Sequence, residues 1–149
     1  MKLSDILQTQ IHFFQNIGPD YLHRYRLLPM IEYRGRRWYP PRNVFLHRFL
    51  QSDRGRDPHD HPWESWSILL AGELQESYWR GGKRKGIRLR HIRKFRVIHR
   101  PATWCHRLIV PEGKKAWTLF VVGPKVREWG FLVGIQRKWV HWKEYLGVD

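Results

Sequence analysis

The sequence predicts an all-β fold: a small antiparallel β-barrel or jelly roll with an N-terminal helix in front of it. Three observations carry that prediction. The chain has 149 residues, the size of one domain that can bury a single core without metal or disulfide staples. After Pro41 its apolar residues fall into short runs rich in Val, Ile, Phe, Trp and Tyr, punctuated by Gly, Pro and charged turns. Before Pro19 the apolar spacing is helical instead.

In chain order, Ser4 is placed as an N-cap, Asp5 sits in the first turn, and Ile6, Leu7, Ile11 and Phe14 recur at helical spacing. Gly18 and Pro19 supply the stop, so a helix is expected from about Asp5 to Asn16, within an N-terminal segment 1–20. The runs "NVFLHRFL", "SWSILLAGEL", "ESYWR", "GIRLRHI", "FRVIH", "TWCHRLIV", "AWTLFVVG" and "EWGFLVG" then read as antiparallel strands of a barrel spanning 43–135. No internal repeat or low-complexity linker divides them, so 1–149 is read as one domain.

A hydrophobic fraction of 42% argues against disorder despite the negative mean hydropathy. No apolar stretch approaches the roughly 20 residues that cross a bilayer, so no membrane partner is expected. Cys105 has no second cysteine to pair with, and no leader-like segment opens the chain; a cytoplasmic location is the expectation. The balance of 28 Lys and Arg against 13 Asp and Glu, a formal charge of +15, attracts polyanions without saying which.

Part of that charge is concentrated in "YWRGGKRKGIRLRHIRKFR", read as a hairpin around Gly81 and Gly82. Lys83, Arg84, Lys85, Arg88 and Arg90 lie on it, with Arg93, Lys94 and Arg96 following. Arg88 and Arg90 alternate with Ile87 and Leu89 and so share a face. Such a face is either a solvated edge that discourages strand-to-strand aggregation or a contact surface for nucleic acid or an acidic protein.

The chemistry-bearing stretch is "DPHDHPWESWSILLAGELQE". Along a strand alternate side chains share a face, so His59 and His61 project the same way, together with Trp63, Ser65 and Ser67. Two imidazoles so placed can bind one ion, or can be polar residues at the mouth of a sheet. Further along, "PATWCHRLIV" adds His106.

These residues resemble the cupin family, whose first motif runs G, five residues, H-x-H, three or four residues, E, six residues, G. His59, His61 and Gly72 occupy the family positions, Ser65 stands where the glutamate belongs, and Asp53 replaces the first glycine. The second motif runs G, five residues, P-x-G, two residues, H, three residues, N. Pro101 and His106 match it, while Phe95, Thr103 and Val110 replace its glycines and asparagine. Small bacterial and phage cupins with an "HDHPW" signature often end in a similar "GP…R.WGF" segment, here Gly123, Pro124, Arg127, Trp129, Gly130 and Phe131.

The resemblance implies metal ligands at His59, His61 and His106. It also implies a three-histidine site like that of the thiol-dioxygenase branch, whose neutral ligands leave the ion's charge to attract an anionic substrate. Fe(II) is the first expectation, with Mn, Ni or Zn as alternatives, because imidazole suits all of them; some cupins have lost metal altogether. Glu64 has the odd offset from His59 and should point away from the histidine face unless Pro62 introduces a bulge; Ser65 has the right direction but is a poor ligand.

The leading expectation is therefore a metal-dependent cupin, a non-haem Fe(II)-type oxygenase acting on a small polar or anionic substrate. Arg127 is the candidate for fixing a substrate carboxylate or phosphate, and Glu64 or Glu73 for moving protons. The alternative is a non-catalytic binding module that presents the basic hairpin to nucleic acid or an acidic protein; a homodimer is admitted in either case. His47, His91 and His99 read as structural, Cys105 as core packing, and the nine tryptophans either as filling for the barrel or as stacking surfaces for a planar ligand.

Overall fold

The computed structural model describes residues 14–17, 21–27, 31–33, 36–38, 43–81 and 85–148. Antiparallel strands dominate them. One layer is a six-stranded sheet in the order β1 (Phe14–Ile17), β2 (Leu22–Arg26), β5 (Asn43–Phe49), β11 (Ala116–Val122), β6 (Ser65–Gly72) and β9 (Val97–Arg100). The opposite layer has two parts: β10 (His106–Ile109), β7 (Gln75–Arg80) and β8 (Gly86–His91) in one, β12 (Gly130–Val133) and β13 (Lys138–His141) in the other. His59 joins these parts, because it is bridge-paired with His106 on one side and Phe131 on the other. A two-stranded ribbon of β3 (Ile31–Tyr33) and β4 (Arg36–Trp38) and a short helix α1 (Trp142–Leu146) complete the described elements.

Every run read as a strand after Pro41 contains one, since alternation and turn chemistry are local signals. Two expectations need correction. Among the described residues the hydrogen bonding forms separate sheets and does not close into a barrel; the edges are β1 and β9 in one layer and β8 and β13 in the other. Of the expected N-terminal helix, residues 14–16 lie in strand β1, where pairing with β2 satisfies the backbone, and the rest falls outside the described residues. None of the described helices is long and apolar enough to cross a membrane.

The inward face of the large sheet changes character along its strands, and that change creates the site. At one end Leu22, Phe49, Leu69 and Ala116 meet Leu74, Ile92 and Val110 of the other layer in an apolar core. Two residues further along, the inward positions are the buried polar residues His47, Ser67 and Thr118, with Thr118 paired to His47 across the strands. The cavity lies at this polar level, bordered on one side by Leu22, Phe49 and Leu74 of the core.

Gly72 ends β6 with φ +82, and a Cβ there would lie 1.8 Å from the Lys115 carbonyl oxygen, so only glycine fits. Phe95, standing where the resemblance expects another glycine, keeps the left-handed conformation with φ 60 while carrying an aromatic side chain.

Candidate metal centre

His59, His61 and His106 present one ring nitrogen each within 4.8 Å of one another. Their backbone is held in place first: His59 N–H donates to the His106 carbonyl and His106 N–H to the His59 carbonyl, both at 2.9 Å. His61 follows on the same face, as strand parity expected. The rings surround one point, with centroids 5.0 to 5.3 Å apart. His61 Nε2 and His106 Nε2 lie 2.9 Å apart. Two imidazole nitrogens bound to one ion at ~2.0–2.1 Å, at angles between octahedral and tetrahedral, stand roughly 2.9–3.3 Å apart, so the spacing fits a shared ion. Burial, partly offset for His59 by Asp53, pushes that imidazole down to about 4 and His61 well below its ordinary value. Both are therefore neutral at pH 7, the form that ligates.

Asp60, between the two histidines, points the opposite way and is buried. Its carboxylate accepts from the Gly130 N–H at 2.8 Å, from Trp139 Nε1 at 3.0 Å and from the Arg127 guanidinium. This explains why "HDHPW" and "R.WGF" belong together: Asp60 clamps the histidine segment to β12. The clamp needs glycine at 130, where a Cβ would sit 2.1 Å from the Val140 carbonyl oxygen.

The third histidine is backed by a carboxylate that sequence reasoning missed. Glu76, fully buried in β7, accepts from His106 Nδ1–H at 2.7 Å, so the lone pair of Nε2 faces the cluster. The same carboxylate takes Arg100 Nε at 2.7 Å, Trp104 Nε1 at 3.1 Å, and Arg90 Nε and Nη2 at 2.6 and 2.5 Å. Burial alone would raise this carboxyl; the hydrogen bonds from His106 and Arg100 and the Arg100 charge overcome it and hold Glu76 well below the usual range. No local signal marked Glu76, since its partners come from β8, β9, β10 and the turn between the last two.

The triad opens into a cavity of about 100 Å³ between the layers, which widens toward solvent into a mouth of about 610 Å³. Trp63 stacks on His61 at 4.6 Å and meets Phe120 edge-on, forming one wall. Arg24, His47, Ser67 and Thr118 line the inner chamber, and Trp129 and Phe131 the mouth. Ser67 and Trp63 share the histidine face as strand alternation predicts, and tryptophans as stacking surfaces are one of the two sequence readings; His47 reads from sequence as structural, and Arg24 and Thr118 carry no sequence signal.

The other expected site residues lie elsewhere. Glu64 pairs with His99 Nε2 at 3.0 Å on the outside, and Glu73 pairs with Lys114 at 3.0 Å on the surface. Neither lines the cavity, because each points off the inward face. Arg127 is engaged with Asp60 and also lies outside the chamber. Ser65 is buried, but Ser67 is the serine that lines the cavity.

His47 yields a pH prediction. Its Nε2 accepts from Arg24 Nε at 3.0 Å, and burial, reinforced by the Arg24 charge, pushes its imidazole from 6.5 down to about 3. Between those values the unfolded chain binds more protons than the folded one, so stability rises with pH across the window and is lost as pH falls. His59 and His61 act in the same direction. Denaturant unfolding of metal-free protein at pH 6.5 and pH 5 should show His47→Gln losing about 2 kcal/mol less than the parent over this step.

Two facing antiparallel layers with a histidine cluster between them make an all-β fold of the cupin or jelly-roll type. No protein-family model matches the chain, and no curated protein does. Solved structures share the fold. A polyketide cyclase, RemF from Streptomyces resistomycificus, superposes with a TM-score of 0.58 at 15% identity over 89% of this chain and 82% of its own. A putative mannose-6-phosphate isomerase from Ralstonia eutropha JMP134 gives 0.51 at 18% over 73% of this chain and 90% of its own. Fe(II) HppE gives 0.54 at 12% over 73% of this chain, which spans only 54% of that protein.

Proposed function

We propose that the protein is a metal-dependent cupin that binds one divalent transition ion through His59, His61 and His106, with Fe(II) the first choice, and acts as an oxygenase on a small polar or anionic substrate. The observation that supports it is the convergence of three imidazole nitrogens within 4.8 Å at the end of an accessible cavity. Fe(II) bound there would supply coordination positions for substrate and dioxygen. Glu76 fixes the tautomer of His106, Asp60 holds the His59–His61 segment in register, and Trp63 with Phe120 shields one side of the chamber from water. The fold accommodates Fe(II) in HppE. Elemental analysis of protein incubated with Fe(II), Mn(II), Ni(II) or Zn(II) should find about one ion per chain, and the iron form should consume dioxygen with a suitable small acid. Protein that retains none of these ions rules the reading out.

A second reading, a basic surface for nucleic acid, has its own support. Phe95 is 72% exposed and sits between exposed Lys94 and Arg96, with exposed Val97 next along the chain. Lys85 and Arg88 are exposed on the adjoining hairpin, while Arg90 is turned onto Glu76; Lys83 and Arg84 lie outside the described residues. Aromatic and basic side chains together suit a single strand, bases on the ring and phosphates on the cations. If this surface binds, affinity should fall with salt at a log-log slope of about 0.7 per phosphate contacted in a single strand, and converting Lys85, Arg88 and Lys94 to glutamine should flatten that slope. Salt-independent binding, or none, in gel-shift titrations removes nucleic acid as a partner.

A further inference from the structure

We infer that Arg24 anchors the carboxylate of a small organic acid in the chamber beside the three histidines; this rests on the reading of that chamber as the reaction site and names the substrate class it takes. Arg24 is carried by β2, borders the chamber shared with His59, His61 and His106, and also borders the mouth. A molecule entering from solvent meets the guanidinium at the mouth, which it shares with His59 and His61.

The guanidinium is positioned before any ligand arrives. Its Nε donates to His47 Nε2 at 3.0 Å and its Cζ stands 4.9 Å from the Phe45 ring centroid. His47 is itself packed between Phe45 at 5.7 Å and Phe120 at 4.9 Å, so the imidazole that steers Arg24 is held by rings on both sides. With Nε committed, the two terminal nitrogens form the edge that takes a carboxylate end-on through parallel hydrogen bonds.

Arg54 borders only the mouth, and the two other cations about the site are engaged. Arg100 gives Nε to Glu76 and Nη1 to Ser67, and Arg127 serves Asp60. Among the described residues, Arg24 makes no hydrogen bond to a carboxylate. The acid bordering the chamber, Asp53, already accepts from the Tyr21 hydroxyl and, at 2.6 Å, from the Leu108 N–H. The chamber therefore presents an unmatched cation.

Size selects the anion. A cavity of ~150 Å³ holds the six carbons of benzene. The inner chamber, about 100 Å³, then admits about four heavy atoms, which fits a carboxylate with one further carbon, a second carbon reaching into the mouth. A phosphate fills it with its own five atoms and leaves no room for a carbon to reach the histidines. Any remaining part of the acid would lie in the mouth against Trp63, Trp129 and Phe131.

The test is calorimetric titration of metal-free and Zn(II)-loaded protein with propionate, its neutral isostere propionamide, and inorganic phosphate, with Arg24→Gln and Arg24→Lys alongside. Propionate should bind both forms of the parent, at least tenfold more tightly than propionamide, and Arg24→Gln should lower its affinity about tenfold or more, as expected when a charged hydrogen-bonded pair is lost. Arg24→Lys, which keeps the charge but loses the fork, should fall between them; it carries the test if the glutamine variant does not fold. Zinc content should be the same in parent and variants. Equal propionate affinity in the parent and both variants, or equal affinity for propionate and propionamide, overturns the assignment, and phosphate binding more tightly than propionate overturns the carboxylate class. Propionate binding by a parent that retains no zinc would count against the metal centre and leave Arg24 as the anion anchor.

Discussion

Alanine at position 106 is expected to abolish metal retention while leaving a folded protein. His106 supplies one of the imidazoles, and its removal leaves His59 and His61, an H-x-H pair with no third ligand. Losing only an outer hydrogen-bond partner of a ligand typically weakens metal binding 10–100-fold, so losing the ligand itself should cost more than about 100-fold. The fold should survive because the apolar core of Leu22, Phe49, Leu69, Leu74, Ile92, Val110 and Ala116 does not include His106 and is held by contacts of its own. The substitution still removes a hydrogen bond from buried Glu76, at a cost of about 1–3 kcal/mol. Metal analysis after dialysis, with circular dichroism on the same samples, checks both halves. An alanine variant that retains a full equivalent of metal would remove His106 from the centre.

Glu76→Ala should be the most destabilising single change in the site, and it should also weaken the metal. The carboxylate compensates Arg100, a guanidinium buried between the layers, and receives Arg90, Trp104 and His106 as well. Breaking a buried ion pair by removing one partner costs about 3–5 kcal/mol, because the other charge stays behind without compensation. For a chain of this size that corresponds to a fall in Tm of roughly 10 °C. Metal affinity should fall about 10–100-fold, since His106 Nδ1–H loses the acceptor that fixes its tautomer. Glu76→Gln keeps the shape and one acceptor oxygen and should recover part of the stability but less of the metal affinity, because the charge facing Arg100 and the imidazole is gone. Thermal unfolding and competitive metal titration of both variants distinguish this from a role confined to packing, which would leave metal affinity untouched.

The acidic and basic residues singled out from the sequence fared differently from the histidines for a physical reason. A strand's alternation decides which side chains share a face, so His59 and His61 could be paired from their spacing and Glu64 assigned to the other side. Alternation does not decide which of two faces looks inward, nor what stands opposite. The hairpin shows this: Arg90 shares a face with Arg88, yet it reaches Glu76 while Leu89, its apolar neighbour, is 60% exposed. What the residues that depart from the cupin motifs do is likewise visible only in the structure. Asp53 replaces a glycine and anchors the Leu108 N–H, Val110 replaces an asparagine and joins the core, and Phe95 replaces a glycine while keeping its backbone angle.

The sequence by itself determined the all-β class, the strands after Pro41 and the candidate histidines, because alternation, turn residues and H-x-H spacing act over a few residues and survive without knowledge of neighbours. Tertiary structure alone decided that the strands form open layers, that Asp60 ties the histidine segment to Gly130 and Arg127, that Glu76 stands behind His106, and that Arg24 and His47 face the cavity. Each of those relations joins residues from different strands across the fold. Their energies come from burial and from hydrogen bonds between groups that only the register of one strand against another brings within reach.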